Sequence, residues 1–115
     1  MQAESSKYLW DAARAADRVA EFVAGKTFDD YVGNAMLRSA VERQFEILGE
    51  ALAQMAKRDA ETAQAIPELR RIIAFRIVLI HGYATVDDKL VWGVVEGHLL
   101  GLRATLQKLL DQAGK

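Results

Sequence analysis

The sequence predicts an all-α fold, an antiparallel four-helix bundle with room for a short extra helical turn. Three observations predict it. The composition is that of helices, with one Pro in 115 residues and abundant Ala, Leu, Glu, Arg and Gln. Apolar residues recur at three- and four-residue intervals in successive stretches rather than alternating. The connections between those stretches are short, as antiparallel neighbours require. Half of the residues are hydrophobic (51%), enough for a core, and the length suits a single domain over residues 1–115.

The first helix is expected from about Ser6 to Ala24, with Leu9, Ala12, Ala16, Val19 and Val23 on one face and Ser5 or Ser6 as its cap. Gly25 ends it, and Lys26 to Gly33 reads as a loop carrying Phe28 and Tyr31. Asn34 can cap a second helix reaching about Lys57. One stripe of it holds Leu37, Val41, Phe45, Leu48, Leu52 and Met55, and a second holds Ala40, Ile47 and Ala51, so it is expected to pack on two sides. Arg43, Glu46 and Glu50 interrupt that apolar surface. The two glutamates share a face, and spacing alone favours solvated surface over function.

Residues 58–66 form a polar connection with a short helical turn. Pro67 suits the first position of a third helix that ends near Gly82. Thr85 or Asp87 can cap a fourth helix, from about Asp88 to Gln112. Its seam is Trp92, Val95, Leu99, Leu102, Leu106 and Leu109. Gly93, Gly97 and Gly101 lie four apart on another ridge. Each costs about 1 kcal/mol relative to Ala in a helix, so either a backbone approaches closely there or the composition is accidental.

Net charge is −1, which disfavours an extended electrostatic nucleic-acid surface while leaving room for a local phosphate site. There is no Cys, hence no disulfide or thiolate metal site. The polar N-terminal stretch lacks the apolar core of a signal peptide, and no run reaches the ~20 apolar residues of a membrane span. A soluble, cytoplasmic protein is expected.

The third helix concentrates the chemistry. From Leu69 to Val86 no acidic residue occurs, yet the stretch carries Arg70, Arg71, Arg76, His81 and Tyr83 within the most apolar run of the chain. Arg76 can hold a phosphate or pair with an acid such as Glu46 or Glu50. His81 can move protons near neutral pH, or be a packed, hydrogen-bonded residue. Tyr83, seven residues after Arg76, would share its face on an unbroken helix. His81, five residues on, would stand about 140° away around the axis. The three can line one cleft if the helix loosens before Gly82 or if two subunits each contribute. His81 and His98 are the only histidines, and no zinc spacing, nucleophile elbow or phosphate-binding glycine loop accompanies them, so no metal and no cofactor is expected.

Arg76-Ile-Val-Leu-Ile-His81-Gly-Tyr83 fits the pattern Arg-x4-His-x-Tyr and resembles the motif of the HEPN ribonuclease toxins, specifically the HepT group. The segment from Ala40 to Ala51 resembles that group's second-helix signature. Val86-Asp87 followed by Val91-Trp92 resembles its post-motif segment, and Phe28 to Asp30 stand in the place of its first interhelical loop. The resemblance covers nearly the whole chain. It implies a helical homodimer with two motif copies around a shared cleft, and metal-independent RNA cleavage by attack of the ribose 2′-hydroxyl. His81 would move protons and Arg76 would steady the phosphate, with Arg70, Arg71, Arg43, Glu46 and Glu50 in supporting or RNA-holding positions. It further implies a nucleotidyltransferase antitoxin as partner in a type VII-like toxin–antitoxin pair, able to form a larger assembly and to silence the toxin by transferring AMP to Tyr83. Ile77 stands where the group commonly has a polar residue, often Asn. That departure keeps open another class of function, a non-catalytic helical dimer that is the nucleotidyltransferase's binding partner or substrate. A purely structural helical interaction domain is the third alternative.

Overall fold

The structure, a computed structural model, describes residues 3–82 and 86–114. Every regular element among them is a helix. The first, α1 (Ala3–Val23), starts earlier than its apolar period implies. Ser5 is not a cap; it is buried within the helix and donates its hydroxyl to Asp59 Oδ2 at 2.7 Å. The expected loop after Gly25 instead contains a short helix, α2 (Phe28–Val32). Thr27 and Asp30 make a reciprocal capping box: Thr27 Oγ1 accepts the Asp30 N–H and the Asp30 carboxylate accepts the Thr27 N–H. That box is strong enough to organise a five-residue segment, and it delivers Tyr31, fully buried, against Trp92 at a centroid distance of 5.3 Å.

Asn34 caps α3 (Ala35–Arg58), accepting the Leu37 N–H at 3.0 Å as its position predicts. Asp59 then caps the short α4 (Ala60–Ala63), accepting both the backbone N–H and the hydroxyl of Thr62. The next helix, α5 (Leu69–His81), begins two residues after Pro67, which therefore lies in the preceding turn. Glu68 occupies the boundary with φ of 65°, a left-handed conformation held by its carboxylate, which pairs with His98 Nδ1 at 2.8 Å and with Arg71 at 3.5 Å. Gly82 ends α5 as anticipated.

The fourth long helix is broken. Asp87 caps α6 (Asp88–Gly97), and α7 (Leu99–Ala113) follows after a single residue, His98. Helical hydrogen bonds still bracket the break, from His98 N–H to Val94 O and from Leu102 N–H to His98 O. Gly97 beside it is a weak helix former, and His98 is drawn to Glu68, so a kink there costs little. Trp92, Leu99, Leu106 and Leu109 of the expected seam are buried, whereas Val95 and Leu102 are only partly so.

The core lies between α1 and α3, which pack along their lengths, with α7 against α1 and α5 against α3. The result is a four-helix bundle with one seam left open. A groove of about 680 Å³ runs between α5 and the α6–α7 pair. Ile72 and Val78 line one wall, Leu90 and Leu102 the other, and Phe45 of α3 forms part of the floor. Leu79 is consequently the one buried residue of α5, while Ile77, Val78 and Ile80 are exposed. Among the described residues no backbone closes on the glycine ridge. A Cβ built at Gly93, Gly97 or Gly101 would meet nothing within 4 Å among the described residues. No helix among the described residues is long and apolar enough to cross a membrane.

Candidate active site

Arg76 is positioned by the way α5 seats on α3. Phe75 packs edge-on against Phe45 at 5.3 Å, and Leu79, one turn on, is buried against the core. Between these contacts the two backbones approach closely at Gly49. A Cβ there would lie 2.5 Å from Arg76 Cβ and 3.1 Å from its Cδ, so only glycine accommodates this crossing. Gly49 thus admits the Arg76 stem against α3, and the next residue, Glu50, supplies its partner. Arg76 Nη2 pairs with Glu50 Oε2 at 2.5 Å. Of the two acids offered by the sequence, the structure selects Glu50.

The pair leaves Arg76 with unused donors. Its side chain is 23% exposed, and Nε is buried with no hydrogen-bond partner among the described residues. A guanidinium offers five donors in a fixed plane, and one acid oxygen satisfies a minority of them. Glu50 is held ionised: the hydrogen bond from Gln54 Nε2, at 3.0 Å, and the hydrogen bond and charge of Arg76 lower its pKa. The arrangement suits a second anion on Arg76.

Glu50 is also the link to a separate cleft of about 350 Å³ between α1 and α3. Arg43 and Glu46 line this cleft, so three of the supporting residues expected from sequence, Arg43, Glu46 and Glu50, share one wall. Arg70 and Arg71 do not join them. Both are exposed at the start of α5, and Arg71 lines the apolar groove instead. His81 is exposed at the last position of α5 and lines neither depression. The helix remains continuous through His81, and the Gly82 N–H still bonds Val78 O at 2.8 Å. It therefore does not loosen before Gly82, and of the two ways to bring Arg76 and His81 together, that one fails within a single chain. Tyr83 lies outside the described residues.

Sequence reasoning missed the opposite wall of the cleft. It is built from Trp10, Arg14 and Arg18 on α1, four residues apart and hence on one ridge. That spacing was visible, but α1 shows its apolar face far more plainly. Among the described residues no group of three or more His, Cys, Asp or Glu is placed to hold a metal ion.

The fold is an all-helical bundle that carries Arg76 and His81 on its third long helix. The chain belongs to the ribonuclease HepT-like family, whose model matches residues 12–109. An RNA-cleaving enzyme is the class that this membership gives. Among its relatives is "Probable ribonuclease HepT" of Thermococcus cleftensis, 30% identical over 109 residues that cover 95% of this chain and 98% of that protein. "Putative RNase MJ1380" of Methanocaldococcus jannaschii is 32% identical over 89 residues, covering 77% of this chain and 81% of its own. "Putative RNase TTE0752" of Caldanaerobacter subterraneus is 28% identical, covering 91% and 93% respectively. No solved structure matches the chain.

Proposed function

We propose that this single-domain protein is a metal-independent endoribonuclease, the toxin of a type VII-like toxin–antitoxin pair acting in the cytoplasm. The observation that carries the reading is Arg76, held on α3 by Gly49 and Glu50 with its Nε unsatisfied. In the reaction the ribose 2′-oxygen attacks the adjacent phosphorus. The new 2′-O–P bond forms as the P–O5′ bond breaks, leaving a 2′,3′-cyclic phosphate and a 5′-hydroxyl. The 2′-hydroxyl proton must leave and the 5′-oxygen must gain one, which is work for His81 at an exposed helix end. Arg76 stabilises the negative charge that builds on the phosphoryl oxygens. An incoming phosphate takes guanidinium donors that Glu50 leaves free, while Glu50 keeps Arg76 extended and oriented.

Arg76 and His81 point from different sides of one continuous α5, so the site is completed by a second copy of the chain. The open groove beside α5 supports such a homodimer. Its walls are apolar, and the exposed Ile77, Val78 and Ile80 lie on the helix that bounds it. Gly97 and Gly101 line the same groove, where a partner's backbone can approach. A nucleotidyltransferase antitoxin would silence the enzyme by transferring AMP to Tyr83, in the segment next to His81. A phosphate added to Tyr83 would compete with RNA for the cationic side chains that cleavage needs.

A second reading is favoured by Ile77. The position after the motif arginine is apolar and about half-exposed, and so offers no polar contact to a phosphate. On that reading the chain is a non-catalytic dimer that serves as the nucleotidyltransferase's partner or substrate. Growth of cells expressing the wild type or His81→Ala, with and without the nucleotidyltransferase, separates the two. Toxicity removed both by the substitution and by the partner supports the ribonuclease. A harmless wild type that accepts AMP on Tyr83 supports the second reading.

A further inference from the structure

The α1–α3 cleft holds a set of groups that the cleavage chemistry does not use. On α1, Trp10 is 57% exposed, an unusual position for so large an apolar side chain, and Arg14 and Arg18 continue its ridge. Arg43 faces them from α3. The walls also carry Asp11, Glu46 and Glu50. Were the arginines present simply to balance these acids, ion pairs would join them. None of the three arginines has an acid within 4.0 Å among the described residues, and Glu50 is engaged by Arg76 instead. One further group is unsatisfied: Gln44 lines the cleft, and its Oε1 is buried with no hydrogen-bond donor among the described residues. A buried acceptor left unpaired is costly, and a donor supplied by a ligand removes that cost.

We propose that this cleft binds one unpaired nucleotide of an RNA single strand, its base stacked on Trp10 and its flanking phosphates on Arg14, Arg18 and Arg43. The inference rests on RNA being the substrate and adds where the strand runs outside the cleaved bond. The cleft's volume of about 350 Å³ suits one nucleotide rather than a duplex. A base can stack on an aromatic side chain only when it is splayed from its neighbours. Glu50 lines this cleft and also pairs with Arg76, so the subsite adjoins the proposed phosphate site through one shared side chain. A strand crossing Arg76 therefore passes Glu50 before it reaches Trp10. Three arginines facing three carboxylates make a nearly neutral cleft, so affinity comes mainly from stacking and depends weakly on salt.

The test uses the full chain with His81→Ala, which binds without cutting, and a fluorescein-labelled single-stranded 12-mer RNA in EDTA. Trp10→Ala in that background raises Kd about five- to 150-fold, the equivalent of one lost base–aromatic stack. Trp10→Phe retains most of the affinity, because the ring and not the indole N–H is what the base meets. Single-stranded RNA also shields Trp10 from acrylamide quenching, while buried Trp92 contributes a constant background, and the same sequence as a duplex gives no protection. A Kd unchanged within twofold in Trp10→Ala, or shielding of Trp10 by the nucleotidyltransferase but not by RNA, overturns the proposal. The two readings fail separately. RNA cleavage that needs His81 with binding indifferent to Trp10 removes the subsite alone, and Trp10-dependent binding without cleavage removes the enzymatic step alone.

Discussion

Gly49→Ala adds one methyl group where α3 and α5 cross. Built on the present backbone, that carbon lies 2.5 Å from Arg76 Cβ, against a comfortable carbon–carbon separation of about 3.5–4.0 Å. The opposing atom is tethered directly to the α5 backbone, so rotamer changes cannot relieve the contact, and α5 must move by about 1 Å or more. Two effects oppose each other in stability. Replacing Gly in a helix interior gains about 1 kcal/mol. Overpacking costs about 1–3 kcal/mol. The net loss is therefore about 0–2 kcal/mol, a fall in Tm of up to about 8 °C. Activity should respond far more strongly, because Arg76 moves with its helix, and a misplacement of about 1 Å can cost about 100-fold in rate. Thermal unfolding by circular dichroism and single-turnover cleavage of a labelled RNA measure the two quantities on one preparation. A variant with raised Tm and wild-type cleavage would refute the argument that Gly49 seats the motif arginine.

Other parts of the structure respond in distinct ways. Asp59→Ala removes the buried acceptor shared by Ser5, the Thr62 hydroxyl and the Thr62 N–H, and chemical denaturation should show a loss of about 2–4 kcal/mol with the helical signal retained. Glu50 has a depressed folded-state pKa, so its contribution to stability is present above its unfolded value near 4.5 and disappears as pH falls through the lower folded value. Glu50→Gln should therefore destabilise the protein near neutral pH and flatten the acid side of its stability profile below about pH 4.5, as read from Tm against pH. If the proposed homodimer closes over the open groove, Val78→Asp on its wall should leave only monomer in light scattering at micromolar concentration. The circular dichroism of that variant should stay helical, because Val78 is exposed within the single chain.

Much of this fold was legible because the long helices announce themselves. Asn34 and Asp87 cap where their side chains and positions say they should, and Gly82 stops α5. The partner of Arg76 was narrowed to two acids, since a cation in an apolar run needs one, but choosing Glu50 over Glu46 required the Gly49 crossing. Two features escaped. A five-residue helix such as α2 is too short to show periodicity, although Thr27 and Asp30 carry its capping signature. The break at His98 follows from a tertiary contact to Glu68, thirty residues away, which no local pattern encodes. The open seam beside α5 escaped for a different reason. An apolar face reads the same whether its cover comes from the same chain or from a second copy, so the sequence alone does not show that Ile77, Val78 and Ile80 are exposed in the single chain. Helical geometry separates Arg76 from His81 around the axis, and the continuous α5 removes the option of loosening before Gly82.

The central claim is that Arg76 and His81 drive metal-independent transesterification of RNA. Its most direct test is mass spectrometry of the products formed when the purified wild type and His81→Ala are incubated with a defined single-stranded RNA in excess EDTA. The account predicts 2′,3′-cyclic phosphate and 5′-hydroxyl ends with the wild type. The variant should yield none, while its fold is intact, as expected for a substitution at an exposed helix end. Cleavage that EDTA abolishes, or the same products at wild-type rate from His81→Ala, would contradict it.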